Sequence, residues 1–302
     1  MERTSQEKIM AIKGRLRQSF GMAEKTVEQI RREEAALAAK IPMIPGITIE
    51  KTRVANMAAE RVGAESILDQ KESVILYIHG GGFISGSCDS HRDIAARIVR
   101  ASETPALVFE YRLAPEHRYP AANEDCLAAY RWLVEGGVAP QNIILGGDST
   151  GGYLALMTLL ALRDAGEPLP GGAFLLSPHT DFLYYDGESY ESRVELDPIG
   201  SLTGSQMCAN SYFDPVVTDP AILAPFGEDL KGLPSLLIQV GDHEVILSDS
   251  TRLAERAKEA GVEVTLEIWD NMWHTFRFMA YMLPEGAEAI ESIGRFVRKQ
   301  LE

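Results

Sequence analysis

Apolar residues near the start of the chain recur at helical spacing: Ile9, Ile12, Leu16 and Phe20, then Val27, Ile30, Ala35 and Leu37 beyond Gly21. This predicts that the first 40 residues are helical, with Pro42, Pro45 and Gly46 as the stop. A helix rich in Glu, Lys and Arg yet striped with apolar residues needs something to cover. Ile47, Ile49, Thr52 and Val54 alternate, which predicts antiparallel edge strands over residues 47–62. Short, continuous apolar runs follow at 74–78, 106–109 and 143–145, as expected of strands buried on both faces. Helices are expected at 121–135 and from Tyr153 to near Gly166. Further strands are expected at 173–176, 235–240 and 262–268, with helices at 250–260 and 285–301. The alternation predicts an α/β chain with one parallel sheet and helices on both faces.

One stretch breaks the alternation. Residues 180–231 separate two strands and are dense in Tyr, Asp, Pro and Gly. A structureless loop that long is improbable in a compact domain, so short helices are expected within it. It follows the C-terminal end of a strand, where open α/β sheets place their ligand crevice. The expected organisation is an N-terminal helical part of a cap over 1–45, a core over 46–180, a cap insertion over 181–231, and the rest of the core over 232–302.

Charge narrows the partners. The 302 residues carry 29 Lys and Arg against 44 Asp and Glu, a net charge of −15. Such a chain lacks the clustered positive charge of a general nucleic-acid binder and is repelled by anionic membrane surfaces. No apolar run approaches the roughly 18 residues needed to span a bilayer. Residues 1–20 are charged every few positions, unlike a signal peptide or anchor, so a cytoplasmic location is expected. Cys88, Cys126 and Cys208 form no CxxC pair and no zinc pattern. They are expected to be buried free thiols, and no metal is expected.

Two motifs carry chemistry. Gly147-Asp148-Ser149-Thr150-Gly151-Gly152 lies between a strand and a helix, the context required of a Gly-x-Ser-x-Gly nucleophile elbow. The turn forces Ser149 into a strained backbone, holds its hydroxyl above the sheet, and places a helix N-terminus behind it. His79-Gly80-Gly81-Gly82-Phe83 follows the strand at 74–78. Glycines there let backbone amides approach a substrate oxygen, so the N–H groups of Gly81 and Gly82, completed by that of Thr150, are candidates for an oxyanion hole. His79 is expected to hold this loop rather than to transfer protons. A phosphate-cradling loop is disfavoured by the lack of a Lys at Walker spacing.

With Tyr111-Arg112-Leu113-Ala114-Pro115-Glu116 and Tyr119-Pro120-Ala121-Ala122, these motifs make the chain resemble the hormone-sensitive lipase-like branch of the α/β-hydrolase esterases. The resemblance covers roughly residues 70–300. It implies an α/β-hydrolase fold with a mostly parallel sheet and a helical cap, and a carboxylic ester hydrolase needing no cofactor. A homodimer is also implied as possible.

The triad order Ser, acid, His leaves only His243 and His274 late enough among six histidines. His274 stands in a loop after the strand at 262–268, where the family's base lies. His243 would have to share one short loop with its own acid. The family's usual Asp-Pro-Leu is absent from Gly241-Asp242-His243-Glu244-Val245-Ile246-Leu247. Counting back from Ala260-Gly261-Val262 puts the acid at Glu244, with Asp242 as the alternative and Asp249 as a helix-capping or supporting residue. The expected function is hydrolysis of short- to medium-chain esters through an acyl-enzyme on Ser149. Lactone opening by the same residues is a close alternative. A non-catalytic ligand receptor, which this fold also supports, is disfavoured because Ser149 and His274 are both present. Phe182, Tyr184, Tyr185, Tyr190, Tyr212 and Phe213 suggest a partly apolar pocket in the insertion, unless they only pack the cap onto the sheet.

Overall fold

A computed structural model describes residues 3–19, 25–68, 72–214 and 216–302. Eight strands form one sheet: β1 (Thr48–Val54), β2 (Met57–Gly63), β3 (Val74–Ile78), β4 (Ala106–Phe109), β5 (Ile143–Asp148), β6 (Gly172–Leu176), β7 (Ser235–Gly241) and β8 (Val264–Trp269). Their spatial order is β1-β2-β4-β3-β5-β6-β7-β8. β1 and β2 form an antiparallel hairpin whose two-residue turn places Ala55 and Asn56 at positive φ, 45° and 71°. β2 runs antiparallel to β4, and every later pairing is parallel.

The helices are α1 (Gln6–Ser19), α2 (Val27–Ala38), α3 (Cys88–Ser102), α4 (Ala121–Glu135), α5 (Thr150–Asp164), α6 (Ser189–Ser192), α7 (Leu202–Tyr212), α8 (Pro220–Leu223), α9 (Leu247–Glu259) and α10 (Pro284–Leu301). Alternation along the strands sorts their side chains between two layers. Ile75 and Tyr77 of β3 join the core beneath α3 and α10, while Leu76 and Ile78 join the core beneath α4, α5 and α9. This is the mostly parallel sheet with helices on both faces that the resemblance implies.

Three readings of the sequence are corrected. The start of the chain is two helices: α2 begins afresh at Thr26, whose hydroxyl accepts from the Gln29 amide while Gln29 caps the Thr26 N–H in return. Phe20 and Gly21 lie outside the described residues. The pattern also left α3 unread, although parallel β3 and β4 require a crossover. Its signals are a Ser87–Ser90 capping box and the apolar stripe Ile94, Ala95, Ile98 and Val99. Finally, β8 begins at Val264, because Gly261 takes a φ of +82° and Val262 N–H still closes the end of α9 by bonding the Ala257 carbonyl.

The 180–231 segment holds α6, α7, α8 and a 3-10 turn, as its length required. Four of the six aromatics noted there are buried. Phe182, Tyr212 and Phe213 are buried with Phe83 and Tyr153, and Phe83 stacks on Tyr212 at 4.3 Å. Tyr190 is buried against Asp249, and Tyr184 faces solvent. α1 lies over the loop after β8, packing Ile9, Ile12 and Leu16 on Met272, Trp273, Phe276 and Leu283. Among the described residues no helix is long and apolar enough to cross a membrane. All three cysteines are buried and unpaired.

Candidate active site

Ser149 links β5 to α5 with φ 53° and ψ −121°, a conformation that costs a non-glycine residue about 1–3 kcal/mol. The flanking glycines make the bend possible: a Cβ on Gly147 would strike the Gly151 carbonyl, and one on Gly151 the Ile78 carbonyl. The Ser149 amide donates to the Leu176 carbonyl at 2.8 Å, fixing the elbow to the end of β6.

The hydroxyl of Ser149 lies 3.0 Å from His274 Nε2. His274 Nδ1 lies 3.0 Å from Glu244 Oε2. Glu244 is wholly buried, and its other oxygen accepts from the Gly241 amide at 2.6 Å and the Ser177 hydroxyl at 2.7 Å. Burial alone would depress the His274 pKa. The hydrogen bond and charge of Glu244, backed by Asp197 and Asp148, carry it above its ordinary value. The loops after β7 and β8 are lashed together by Asp242 N–H to the Trp269 carbonyl and His243 N–H to the Met272 carbonyl. Of the two carboxylates weighed on sequence, Glu244 is the one beside His274. Asp242 is part-exposed and lies 3.9 Å from His243 Nε2, and His243 Nδ1 is turned to Lys13 Nζ.

The glycine loop is built from below. Asp148 accepts from Tyr77 Oη at 2.8 Å and from the Gly80 amide at 3.1 Å, with His91 Nε2 at 3.3 Å. His79 is buried, stacks on Tyr111 at 4.1 Å between ring centres, and meets the Gly80 carbonyl through Nδ1. Burial and the neighbouring His91 bring its pKa down to about 3, so it is a neutral prop at pH 7. Tyr111 Oη donates to the His79 carbonyl at 2.8 Å, Arg112 forks onto Asp125, and Arg31 of α2 forks onto Glu116 at 2.8 Å. The Tyr111–Glu116 motif therefore buttresses the loop.

Gly81 and Gly82 take φ of +116° and +65°, which side chains rarely allow. A Cβ on Gly82 would also strike Cys208 Sγ of α7, so the insertion sits directly on this turn. The Gly82 amide donates to Thr150 Oγ1 at 3.1 Å, so the side chain of Thr150, beside its amide, stands at the same corner.

Sequence reasoning missed three residues that shape this site. Asp197, from the insertion, accepts from the Val245 amide at 3.0 Å and from the Ile199 and Gly200 amides, bracing the Glu244 loop. Ser177, at the end of β6, touches Glu244, and Arg277, three residues after His274, touches Ser177. Only Arg277 had a usable signal, its spacing from His274. The others reach the Glu244 loop across 48 positions to Val245 and 67 to Glu244.

Comparison with known proteins agrees with this architecture. Residues 75–278 match the family model described as alpha/beta hydrolase fold. An acetyl-hydrolase of Streptomyces hygroscopicus is 41% identical over 231 residues, 76% of each chain. The crystal structure of an esterase from the bacterial hormone-sensitive lipase family superposes with TM-score 0.92 at 38% identity, covering 99% of this chain and 100% of that one. The structure of EstE5, soaked with p-nitrophenyl butyrate, superposes with TM-score 0.91 at 40% identity over 98% of this chain and 99% of that one. With the Ser149 elbow and the His79–Gly82 loop set in that fold, the chain belongs to the α/β-hydrolase family, among the esterases of its hormone-sensitive lipase-like branch, and is a carboxylic ester hydrolase.

Proposed function

We propose that the chain hydrolyses short- to medium-chain carboxylic esters by a serine triad of Ser149, His274 and Glu244. The observation that carries this reading is the unbroken path from Ser149 Oγ through His274 to Glu244, with both contacts at 3.0 Å. His274 Nε2 takes the Ser149 proton as the oxygen attacks the ester carbonyl, giving a tetrahedral oxyanion. The amides of Gly81, Gly82 and Thr150 are the donors assigned to that oxyanion. As the intermediate collapses, His274 returns the proton to the leaving alcohol. Water then attacks the acyl-Ser149 ester by the same route, releasing the acid. Glu244 keeps the proton on His274 Nδ1 and stabilises the imidazolium. The acyl range is supported by the acetyl-hydrolase relative and by the butyrate ester soaked into EstE5.

Ser149→Ala tests the reading. Removing one hydroxyl from the elbow is expected to leave the fold intact and to lower kcat by at least about 10³-fold, as for other triad nucleophiles. A serine-directed organophosphate is expected to modify Ser149 alone, located by peptide mass. Turnover within tenfold of wild type, or labelling elsewhere, would sink the mechanism.

A further inference from the structure

Arg277 is a buried cation without a carboxylate on its own hydrogen bonds. It lies in the 3-10 turn Phe276–Met279 and is 1% exposed. Its Nη2 donates to Ser177 Oγ at 2.8 Å and to the Gln239 carbonyl at 3.1 Å, while Nε and Nη1 have no partner among the described residues. Ser177 gives its own proton to Glu244 Oε1 at 2.7 Å. Guanidinium, hydroxyl, carboxylate, imidazole and the Ser149 hydroxyl thus stand in one line.

A guanidinium this dry is costly unless a nearby negative charge offsets it. The other carboxylates around it are engaged elsewhere: Asp148 with Tyr77, Gly80 and His91, and Glu267 with Gln239 and Ser292. Glu244, one hydroxyl away, is the counter-charge hydrogen-bonded to it through a single side chain, and it is itself fully buried.

We propose that Arg277 is a positioning residue for ester hydrolysis: through the Ser177 hydroxyl it holds the Glu244 carboxylate aimed at His274, and its positive charge opposes protonation of the base. The proposal rests on the triad reading of Ser149, His274 and Glu244. With Arg277 present, the cluster of guanidinium, Glu244 carboxylate and neutral His274 carries no net charge, and a proton on His274 makes it positive. Without Arg277 the same proton neutralises a negative cluster, so His274 takes it more readily. The other groups in the neighbourhood stay in place in either case. Asp197 of the insertion and Asp148 of β5 favour the imidazolium, and His179 after β6 opposes it. Tyr77 of β3 and Glu267 of β8 face Arg277 itself.

The test is the pH profile of kcat/KM for p-nitrophenyl butyrate in wild type, Arg277→Met, Arg277→Lys and Ser177→Ala, with organophosphate labelling of Ser149 in the wild type. Arg277→Met is expected to move the acidic limb up by about one pH unit and to lower kcat about 10- to 100-fold, with KM within about threefold. Arg277→Lys, which keeps the charge, is expected to restore the limb to the wild-type position. Ser177→Ala should move it the same way as Arg277→Met, by less. An unmoved limb in Arg277→Met, or a lysine variant that behaves like the methionine one, overturns the proposal. Where Arg277→Met does not fold, an unmoved limb in Ser177→Ala overturns it. If Ser149 is labelled and the limb stays put, only the role of Arg277 falls. If Ser149 is not labelled, the triad reading falls first.

Discussion

Glu244 and Asp242 stand two residues apart on one loop, yet their surroundings differ in kind. Glu244 is fully buried, holds a hydroxyl and an amide on one oxygen, and turns the other to His274. The Asp242 side chain is about a third exposed and points to His243. Glu244→Gln is therefore expected to lower kcat by about 10²–10⁴-fold, as when a triad carboxylate is neutralised. Asp242→Asn should stay within about threefold. Steady-state kinetics on both variants decide it, and a larger loss in Asp242→Asn would reassign the acid. The elbow and the glycine loop were legible because each is a local pattern whose glycines answer to nearby backbone. The place of Glu244 beside His274 was legible only by counting from Gly261, since Asp242 and Glu244 are chemically alike in sequence and differ in burial and partners. Asp249, read as a capping or supporting residue, sits in the first turn of α9. Its carboxylate takes the Thr180 and Asp181 amides and the Tyr190 hydroxyl, anchoring the root of the insertion.

Among the elements, α1 packs on the loop that carries His274. Its apolar stripe was plain in the sequence, but its target was not, because residues 272–283 show no pattern that asks for a helix. Ile12 is 5% exposed among Trp273, Met272 and Phe276, which flank His274. Ile12→Ala leaves a cavity there and is expected to cost about 2–4 kcal/mol of stability. It should also lower kcat more than it raises KM, because the loop carrying His274 loses its support. A melting curve together with kcat and KM checks this, and an unchanged kcat at a lowered Tm would make α1 mere cover. α7 constrains the other side of the site. Cys208 lies against Gly82, and Tyr212 and Phe213 are committed to Phe83, so this side has little room to open. Activity on p-nitrophenyl esters is expected to peak between acetate and octanoate and to collapse by palmitate, each methylene contributing about 0.8 kcal/mol until overlap intervenes. Efficient turnover of emulsified long-chain triglyceride would contradict that view of the insertion.

For the molecule as a whole, buried titratable groups oppose one another across the pH scale. Burial brings His79 and His179 down to about 3, so between that pH and 6.5 the unfolded chain binds protons that the fold refuses. Stability therefore rises with pH through this window. Asp249 runs the other way: burial and Asp181 push its carboxyl up to about 8, so the fold keeps a proton that the unfolded chain has released. Its contribution falls as pH rises toward 8. Asp197, His91 and His274, all held above their ordinary values, add to the fall. Below pH 6.5 the two histidines oppose Asp249 and Asp197, and above it only the falling contributions remain, so the denaturation midpoint in urea is expected to decline between pH 6.5 and 8. Asp249→Asn should lessen the decline between pH 6.5 and 8. A midpoint that keeps rising through pH 8 in the wild type would show that Asp249 is ionised in the fold.

The seat of α1 on the loop after β8 also bears on how the chain is made. Thr4 bonds Glu285 through both its amide and its hydroxyl, closing a span of 281 positions. Synthesis runs from the amino end, so a helix with an apolar stripe leaves the ribosome long before Met272, Trp273 and Leu283 exist to receive it. Until those residues appear, that stripe lacks its native partner and is open to other chains and to chaperones. Substitutions along it therefore act twice, once on the finished enzyme and once on the fraction of chains that reach it.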